Sequence, residues 1–311
     1  MHIDQHLSVL RLSSGGVQIG SGTRRVLVDA SRPAVDRALR LLSRDPRSLG
    51  GAPRSVADVA GRSGLSLTET IALLRSLQPV LATAPERAGP RHVQIIGLGR
   101  TGMALACLLS LEGVTSLALE DAGVVGFQDL GSGYTAQDIG RERAESAVAV
   151  LQRLGQGTHA FVRRPRTGSP FTGELTAAVS RGAWDTEMVT RAVLADHPLL
   201  PVVLRDDDAV LGPVTGHPGA GCPLCWDLHA AAEDEDRHER VEILHAQAAG
   251  REPIGMAWRV AAAAAEIILG RANAAEPVWV TAAGQHRVAA LPVAEACGCA
   301  AREGGSHAAV A

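Results

Sequence analysis

A glycine-rich turn between an apolar strand pattern and an apolar helix pattern constrains this chain most. Val93–Ile96 is a short run with β-branched residues, as a strand buried in a parallel sheet requires. Gly97, Gly99 and Gly102 follow in the spacing G-x-G-x-x-G, and residues 103–111 are apolar enough to form a helix that packs on a sheet. The first glycine permits a tight turn, the second lets a phosphate approach the backbone, and the third lets the helix pack closely. The pattern predicts an α/β fold of the Rossmann-like type with a mostly parallel sheet.

The next predicted strand, Leu117–Leu119, runs into an acidic pair, Glu120-Asp121. An acidic side chain at this point can hold ribose hydroxyls, and the N-terminus of the helix after the glycine-rich turn attracts phosphate. Asp121 and the three glycines are therefore candidate nucleotide ligands. The alternative is that the glycines serve helix–strand packing alone.

Residues 1–85 have the pattern of a separate, small α+β domain. Three strands and three helices are predicted there, at residues 7–12, 17–19, 25–28, 33–42, 55–63 and 66–77. This order predicts a winged-helix domain. Its third helix carries one basic residue, Arg75, which favours peptide binding at a strand edge or helix groove over DNA binding. A structural or dimerising appendage is the remaining alternative.

Bulk properties exclude several classes of function. The formal net charge of -3 gives no global argument for binding nucleic acid or an anionic membrane. No apolar run is long enough to span a bilayer, and no basic segment followed by an apolar stretch opens the chain, so we expect a cytoplasmic protein. We expect residues 86–91, rich in proline and glycine, to link the first domain to a second at 92–300, and residues 301–311 to form a flexible tail.

Four of the five cysteines lie in two close pairs, Cys222 with Cys225 and Cys297 with Cys299. In a reducing compartment such pairs indicate metal ligands before disulfides. Four thiolates match in number a closed, structural zinc site. Free thiols, a disulfide, or ligation by the flanking histidines 217 and 229 are the alternatives.

From His92 to Cys299 the chain resembles the ThiF/MoeB superfamily of adenylating proteins, which are related to ubiquitin-activating enzymes. The matching segments are colinear: residues 97–102, 119–125, 138–144, 201–204 and 221–225, with the late cysteine pair. The resemblance implies ATP and magnesium as ligands, a four-cysteine zinc site, and a homodimer. It also implies that the adenylated group is the C-terminal carboxylate of a peptide or small protein.

The resemblance assigns catalytic roles to two residues. Arg143 stands at the position of the phosphate-binding lysine, and Asp185 at that of the magnesium-binding aspartate. The chain departs from the pattern at Gly123, where a second acid belongs, and over residues 129–133, where Asn-Leu-x-Arg-Gln belongs and Ser132 replaces the catalytic arginine. We expect loss of that cation to cost roughly 10²–10³ in rate. No cysteine stands where the superfamily forms thioesters.

Residues 200–206, 209–213 and 222–229 most resemble the degenerate ThiF-like partner proteins of azoline-type ribosomal peptide biosynthesis. In that group the winged helix adds a leader peptide to its sheet, and a separate YcaO-type cyclodehydratase performs the ATP chemistry. The leading hypothesis is therefore a zinc-containing scaffold that binds a precursor peptide. The alternatives are an active adenylyltransferase and, third, an NAD-dependent oxidoreductase. Asp121 fits the oxidoreductase, but the cysteine pairs and the missing His/Lys/Tyr constellation do not.

Overall fold

The computed structural model describes residues 2–4, 6–43, 55–81, 89–164, 171–217, 220–234, 236–246, 252–287 and 291–299. The chain divides into two compact units, residues 1–87 and 88–311. The predicted tail at 301–311 and part of the predicted linker at 86–91 lie outside the described residues. Within the described part, every helix is too short or too polar to cross a membrane.

The first unit places three helices after a three-stranded antiparallel sheet. Its elements are β1 (Val9–Arg11), β2 (Gly16–Ile19), β3 (Val26–Asp29), α1 (Pro33–Leu42), α2 (Val56–Ser63) and α3 (Leu67–Leu77). Strand β2 is central, so β1 and β3 are the edges of this sheet. The predicted capping box at Ser66 and Glu69 is present, and it fixes the start of α3.

The core of the first unit lies between one face of the sheet and the helices. Its buried side chains include Val17, Ile19, Val28, Leu39, Leu42, Leu74 and Leu77. Val80 and Leu81 are apolar and follow Pro79, which predicts a short returning strand, but the structure forms only a single bridge between Leu81 and Ile3, because Val80 belongs to a 3₁₀ turn that continues α3.

The second unit is built on an eight-stranded sheet, counted over the described residues. Its strands are β4 (His92–Ile96), β5 (Ser116–Glu120), β6 (His159–Val162), β7 (Leu175–Arg181), β8 (Leu199–Leu204), β9 (Asp208–Leu211), β10 (Val278–Thr281) and β11 (Gly284–Arg287). The order is β11-β10-β9-β8-β7-β4-β5-β6, with β4 to β8 parallel and β9 to β11 an antiparallel extension. Chain order reverses between β4 and β7, which places the ligand crevice of such a sheet at their carboxyl ends.

Helices cover this sheet. They are α4 (Arg100–Leu111), α5 (Arg143–Leu154), α6 (Thr186–Ala195), α7 (Pro223–Glu233), α8 (Arg237–Ala246) and α9 (Ile254–Ile268). Most of α4 is buried, and the alanines of α9 are small enough for α9 to join α4 in one core with the sheet. The predicted fold class, a mixed α/β protein with a mostly parallel sheet after a small α+β unit, is confirmed.

Two elements correct the prediction. The polar composition of residues 155–174 predicts an irregular segment, but His159–Val162 forms β6, while 165–170 lie outside the described residues. As an edge strand, β6 pairs only with β5 in the described sheet, so its four residues need little apolar character. Helix α8 consists of a strongly polar sequence that does not predict a helix.

Candidate functional site

The glycine-rich turn has the conformation that its spacing predicts. Gly97 has φ of 86°, and a Cβ there would lie 2.3 Å from the carbonyl oxygen of Val179 in β7. A Cβ on Gly102 would lie 1.9 Å from the carbonyl oxygen of Gly97. Both positions therefore require glycine for packing, as the packing alternative states. Gly99 differs, because a Cβ there would meet only the Asp129 carboxylate, at 3.8 Å.

Asp121 lies directly beside this turn. Its Oδ2 accepts a hydrogen bond from the Leu98 N–H at 2.6 Å, and its Oδ1 accepts one from the Gly123 N–H at 2.6 Å. Both oxygens of the predicted ribose ligand are thus bonded to backbone, and they fix the loop after β4 to the loop after β5. A nucleotide ribose would have to share or replace these bonds.

Arg143 lies between two carboxylates. Its Nε and Nη2 donate to Oδ2 and Oδ1 of Asp129, at 3.0 and 3.2 Å, and its Nη1 is 3.6 Å from Oδ2 of Asp121. Burial acts to lower the pKa of Arg143, but the charges of Asp121 and Asp129 outweigh it and raise that pKa. The guanidinium is therefore charged, and carboxylates of the same chain already balance its charge.

Ser132, at the position of the family's catalytic arginine, is fully buried. Its hydroxyl donates to the carbonyl oxygen of Asp129 at 2.8 Å. The neighbouring Tyr134 contacts the carbonyl oxygens of Leu98 and Arg143 through its hydroxyl, and burial raises the pKa of this phenol. These polar groups fix the loop, and neither adds positive charge to the crevice.

Two residues that sequence reasoning did not assign to the site also contact this region. Asp129 balances Arg143, as described, and Glu252 reaches the first turn of α4, where its carboxylate accepts a hydrogen bond from the Thr101 hydroxyl. Asp129 occupies a position of the family motif, so its acidic side chain could have been recognised in the sequence as a partner for a nearby cation. Glu252 is 151 residues from Thr101 in sequence, and no sequence pattern indicates their contact.

Asp185, the predicted magnesium ligand, lies at the start of α6. Its Oδ1 accepts a hydrogen bond from the Met188 N–H at 3.0 Å, so it is the N-cap of α6, and its side chain is exposed. Among the described residues, no hydrogen bond or ion pair joins Asp185 to Arg143 or Asp121. The structure thus groups Gly97, Gly99, Gly102, Asp121 and Arg143, and leaves Asp185 on the loop after β7.

The four predicted metal ligands form one cluster. All their sulfur atoms lie within 4.8 Å of one another, although the two pairs are more than 70 residues apart. The Sγ atom of Cys222 lies 3.9 Å from that of Cys225 and 3.6 Å from that of Cys297, and the Sγ atoms of Cys225 and Cys299 are 3.3 Å apart. Sulfurs at about 2.3 Å from one tetrahedral zinc are roughly 3.8 Å apart, so the donor set fits this ion.

Two of the alternatives to a four-cysteine site, a disulfide and ligation by histidine, differ from what the structure contains. The five cysteines form no disulfide. Over the described residues, the candidate metal group holds neither histidine, and Nε2 of His229 lies 3.1 Å from the carbonyl oxygen of Pro292. Cys107 is buried in α4, and burial raises the pKa of its thiol to about 11, which suits an apolar core residue.

Comparison with known proteins agrees with this architecture. Residues 74–172 match the model of the ThiF family. Among curated proteins, the UDP-N-acetylmuramoylalanine–D-glutamate ligase of Cereibacter sphaeroides is 39% identical over 61 residues, which are 20% of this chain and 13% of the ligase. The chain therefore matches only a small part of that relative's length.

Solved structures match over almost the whole chain. The microcin C7 biosynthetic enzyme MccB of E. coli, in complex with N-formylated MccA, has a TM-score of 0.67 at 13% identity over 96% of this chain and 98% of that chain. E. coli MccB with ATP has a TM-score of 0.66 at 13% identity and the same coverage. PaaA has a TM-score of 0.56 at 14% identity, and the match covers 92% of this chain and 98% of the PaaA chain. At these identities the likeness shows the fold, and with the family match it confirms the predicted resemblance: residues 74–172 resemble the ThiF family, and the chain has the fold that E. coli MccB also has.

Proposed function

We propose that this chain is a ThiF-type scaffold that binds a precursor (leader) peptide through its first unit and presents it to a partner modifying enzyme. The observation that carries the proposal is the edge strand β3, which pairs on one side only in the described sheet and carries an exposed apolar side chain. Leu27 on β3 is 66% exposed, and Leu67 and Ile71 on α3 are 56% and 43% exposed. Because Leu27 alternates with buried Val28, it lies on the face of the sheet opposite the helices, so apolar side chains are exposed on both β3 and α3.

The backbone beside these side chains is suited to a peptide. In the described sheet β3 pairs with β2 on one side only. Arg32, just after β3, forms an ion pair of 2.7 Å with Glu69 in the first turn of α3, so the end of the strand lies next to the helix. An extended peptide could add to β3 as a further strand and place alternate side chains on Leu27 and α3. This is the mode expected of a winged helix, which we propose residues 1–85 to be, with the ThiF-type domain at 92–300.

The nucleotide crevice supports a scaffold rather than an adenylating enzyme. Arg143 is already neutralised by Asp121 and Asp129, and Ser132 supplies no charge where the family pattern has arginine. A triphosphate needs uncommitted cations at the point where charge develops. We therefore propose that adenylation by this chain is impaired.

A peptide-binding measurement tests the scaffold. Fluorescein-labelled peptides encoded beside the gene would be titrated with the full chain and followed by fluorescence anisotropy. We expect Leu27→Asp to weaken binding by roughly tenfold or more, since it places a charge in an apolar contact. Leu10→Asp is the matched control, because Leu10 is 42% exposed on the opposite edge strand β1. Equal effects of the two substitutions would contradict the proposal.

An active adenylyltransferase, acting on the C-terminal carboxylate of a peptide or small carrier protein, is the second candidate. The observation that favours it is the intact glycine-rich turn, in which Gly99 leaves space before α4. E. coli MccB, which has this fold, has been solved with ATP. Pyrophosphate exchange into ATP, measured with the same peptides, would establish this activity if it is lost in Asp121→Ala. Asp185 and Arg143 would then act on magnesium and phosphate.

We extend the proposal to the partners and ligands. The cysteine cluster would hold zinc in a structural role, and ATP with magnesium belongs to the second candidate. The modifying enzyme would be of the YcaO type or another peptide-modifying class. The scaffold would be a cytoplasmic homodimer, and it would not bind nucleic acid. Sedimentation equilibrium tests the dimer, and co-purification with a tagged YcaO-type enzyme tests the partner.

A further inference from the structure

Glu252 places a carboxyl group at the first turn of α4. The residue lies just before α9 and is only 9% exposed. Its carboxylate accepts a hydrogen bond from the Thr101 hydroxyl, and its backbone carbonyl accepts one from Arg100 Nη1. Arg100 is itself 4% exposed, so these contacts are buried.

This turn is where the glycine-rich pattern presents an anion site. The first N–H groups of a helix lack intrahelical partners and attract negative charge, and after a G-x-G-x-x-G turn that charge is a phosphate. The N-cap Gly99 has no side chain that could satisfy them. Glu252 approaches this turn through the Thr101 hydroxyl, which donates a hydrogen bond to its carboxylate.

The surroundings hold Glu252 in this position. The charge of Arg181, the last residue of β7, favours the charged form of its carboxyl group. The following segment is fixed to the opposite loop, because Trp258 Nε1 donates to the carbonyl oxygen of Gly131 at 3.0 Å and Ile254 packs against the same glycine. Glu252 is thus held against the first turn of α4.

We infer that Glu252 occupies the phosphate position of the ThiF-type crevice, so that a carboxyl group of the chain itself competes there with the phosphates of a nucleotide. The inference rests on the proposed function, since it gives a physical reason for impaired adenylation beyond the loss of the arginine at position 132. The ligand class that it assigns to Thr101 and the α4 N-terminus is a nucleotide polyphosphate, once Glu252 is removed.

Titration of magnesium–ATP into the full chain tests this inference by calorimetry. We expect Glu252→Ala to bind ATP roughly tenfold or more tightly than the unsubstituted protein, the size of one charge-assisted interaction. Glu266→Ala is the matched control, because Glu266 is an exposed glutamate on α9 whose removal changes the net charge equally. Equal affinity of the Glu252→Ala variant and the unsubstituted protein, including no binding by either at millimolar ATP, overturns the inference.

A second variant separates competition from loss of a helix cap. Glu252→Gln keeps the size and the hydrogen-bonding oxygen but removes the charge. We expect it to remain folded by circular dichroism and to bind ATP more tightly than the unsubstituted protein, with inorganic tripolyphosphate displacing the ATP. Unchanged affinity, or ATP that tripolyphosphate does not displace, overturns the inference. Peptide binding in the same samples reports the proposed function separately, because Leu27 belongs to the first unit.

Discussion

Arg143 and Asp129 form a bidentate ion pair beside the glycine-rich turn: Nε of Arg143 is 3.0 Å from Oδ2 of Asp129, and Nη2 of Arg143 is 3.2 Å from Oδ1 of Asp129. In the ThiF/MoeB pattern that the chain resembles, a lysine and an asparagine stand at these two positions. The aspartate therefore adds a negative charge that engages the cation, so carboxylates of its own chain hold the guanidinium of Arg143.

Replacing Asp129 by alanine should destabilise the second unit. The change leaves a half-buried guanidinium with Asp121 alone, at 3.6 Å, and removes the acceptor of the Gly126 N–H. Breaking a buried ion pair from one side costs about 3 kcal/mol or more. Urea denaturation of the variant should show this loss in the free energy of unfolding.

Glu187→Ala is the control for that measurement, because Glu187 pairs with Arg191 on the exposed face of α6. Its loss should cost less than about 0.5 kcal/mol. Similar free energies of unfolding for the two variants would show that the Arg143–Asp129 pair does not stabilise the fold.

The three glycines should respond differently to alanine. At Gly102 the new Cβ would lie 1.9 Å from a backbone oxygen, so Gly102→Ala must move α4 away from β4 and should not yield a stable protein. At Gly99 the nearest atom is 3.8 Å away, so Gly99→Ala should lower stability by at most about 1 kcal/mol, the cost of a poor N-cap. Thermal denaturation measures the stability of the two variants. Equal losses of stability in Gly102→Ala and Gly99→Ala would show that close packing does not require glycine at position 102.

The cysteine cluster should carry about one zinc ion per chain. Metal analysis by mass spectrometry should find it in the purified protein, and a chelator should lower the melting temperature, because the site joins α7 to the C-terminal segment. Cys225→Ser should abolish binding, whereas Cys107→Ala, which lies outside the cluster, should retain the metal. Full zinc content in Cys225→Ser would contradict a four-cysteine site.

Local pattern was enough to predict most elements. The capping box of Ser66 and Glu69 fixed the start of α3, and the glycine spacing at 97–102 fixed the strand–turn–helix unit. The cysteine cluster was predictable because residue type and spacing both carry the chemistry. Where periodicity was weak the prediction failed, as in β6, an edge strand without a strong apolar pattern.

The electrostatics of the crevice depended on contacts that sequence does not display. Asp121 was predicted as a ribose ligand, but which atoms its carboxylate contacts follows from the folding of two loops onto each other. Glu252 meets Thr101 across 151 residues, and no local pattern marks it. Asp185 stands at a motif position, yet in this structure it caps a helix, a role open to any aspartate before a first turn.

Stability should depend on pH through Glu252. Burial raises the pKa of this carboxyl above its ordinary 4.5. Between 4.5 and the raised value the folded chain binds more protons than the unfolded chain, so this group makes folding less favourable as pH rises through that window. Glu252→Gln removes the effect. The free energy of unfolding of Glu252→Gln, relative to the unsubstituted protein, should therefore increase as pH rises above 4.5 and level off above the raised pKa.

Glu69→Gln is the comparison for that measurement, because the pKa of Glu69 is lowered whereas that of Glu252 is raised. A hydrogen bond from Arg32 lowers the pKa of Glu69 to about 2, so its contribution is present above 4.5 and is lost as pH falls towards 2. Between about pH 5 and about pH 8 the difference between Glu69→Gln and the unsubstituted protein should then be constant. If the Glu252→Gln difference is equally flat from pH 4.5 upwards, burial does not raise the pKa of the carboxyl at the first turn of α4.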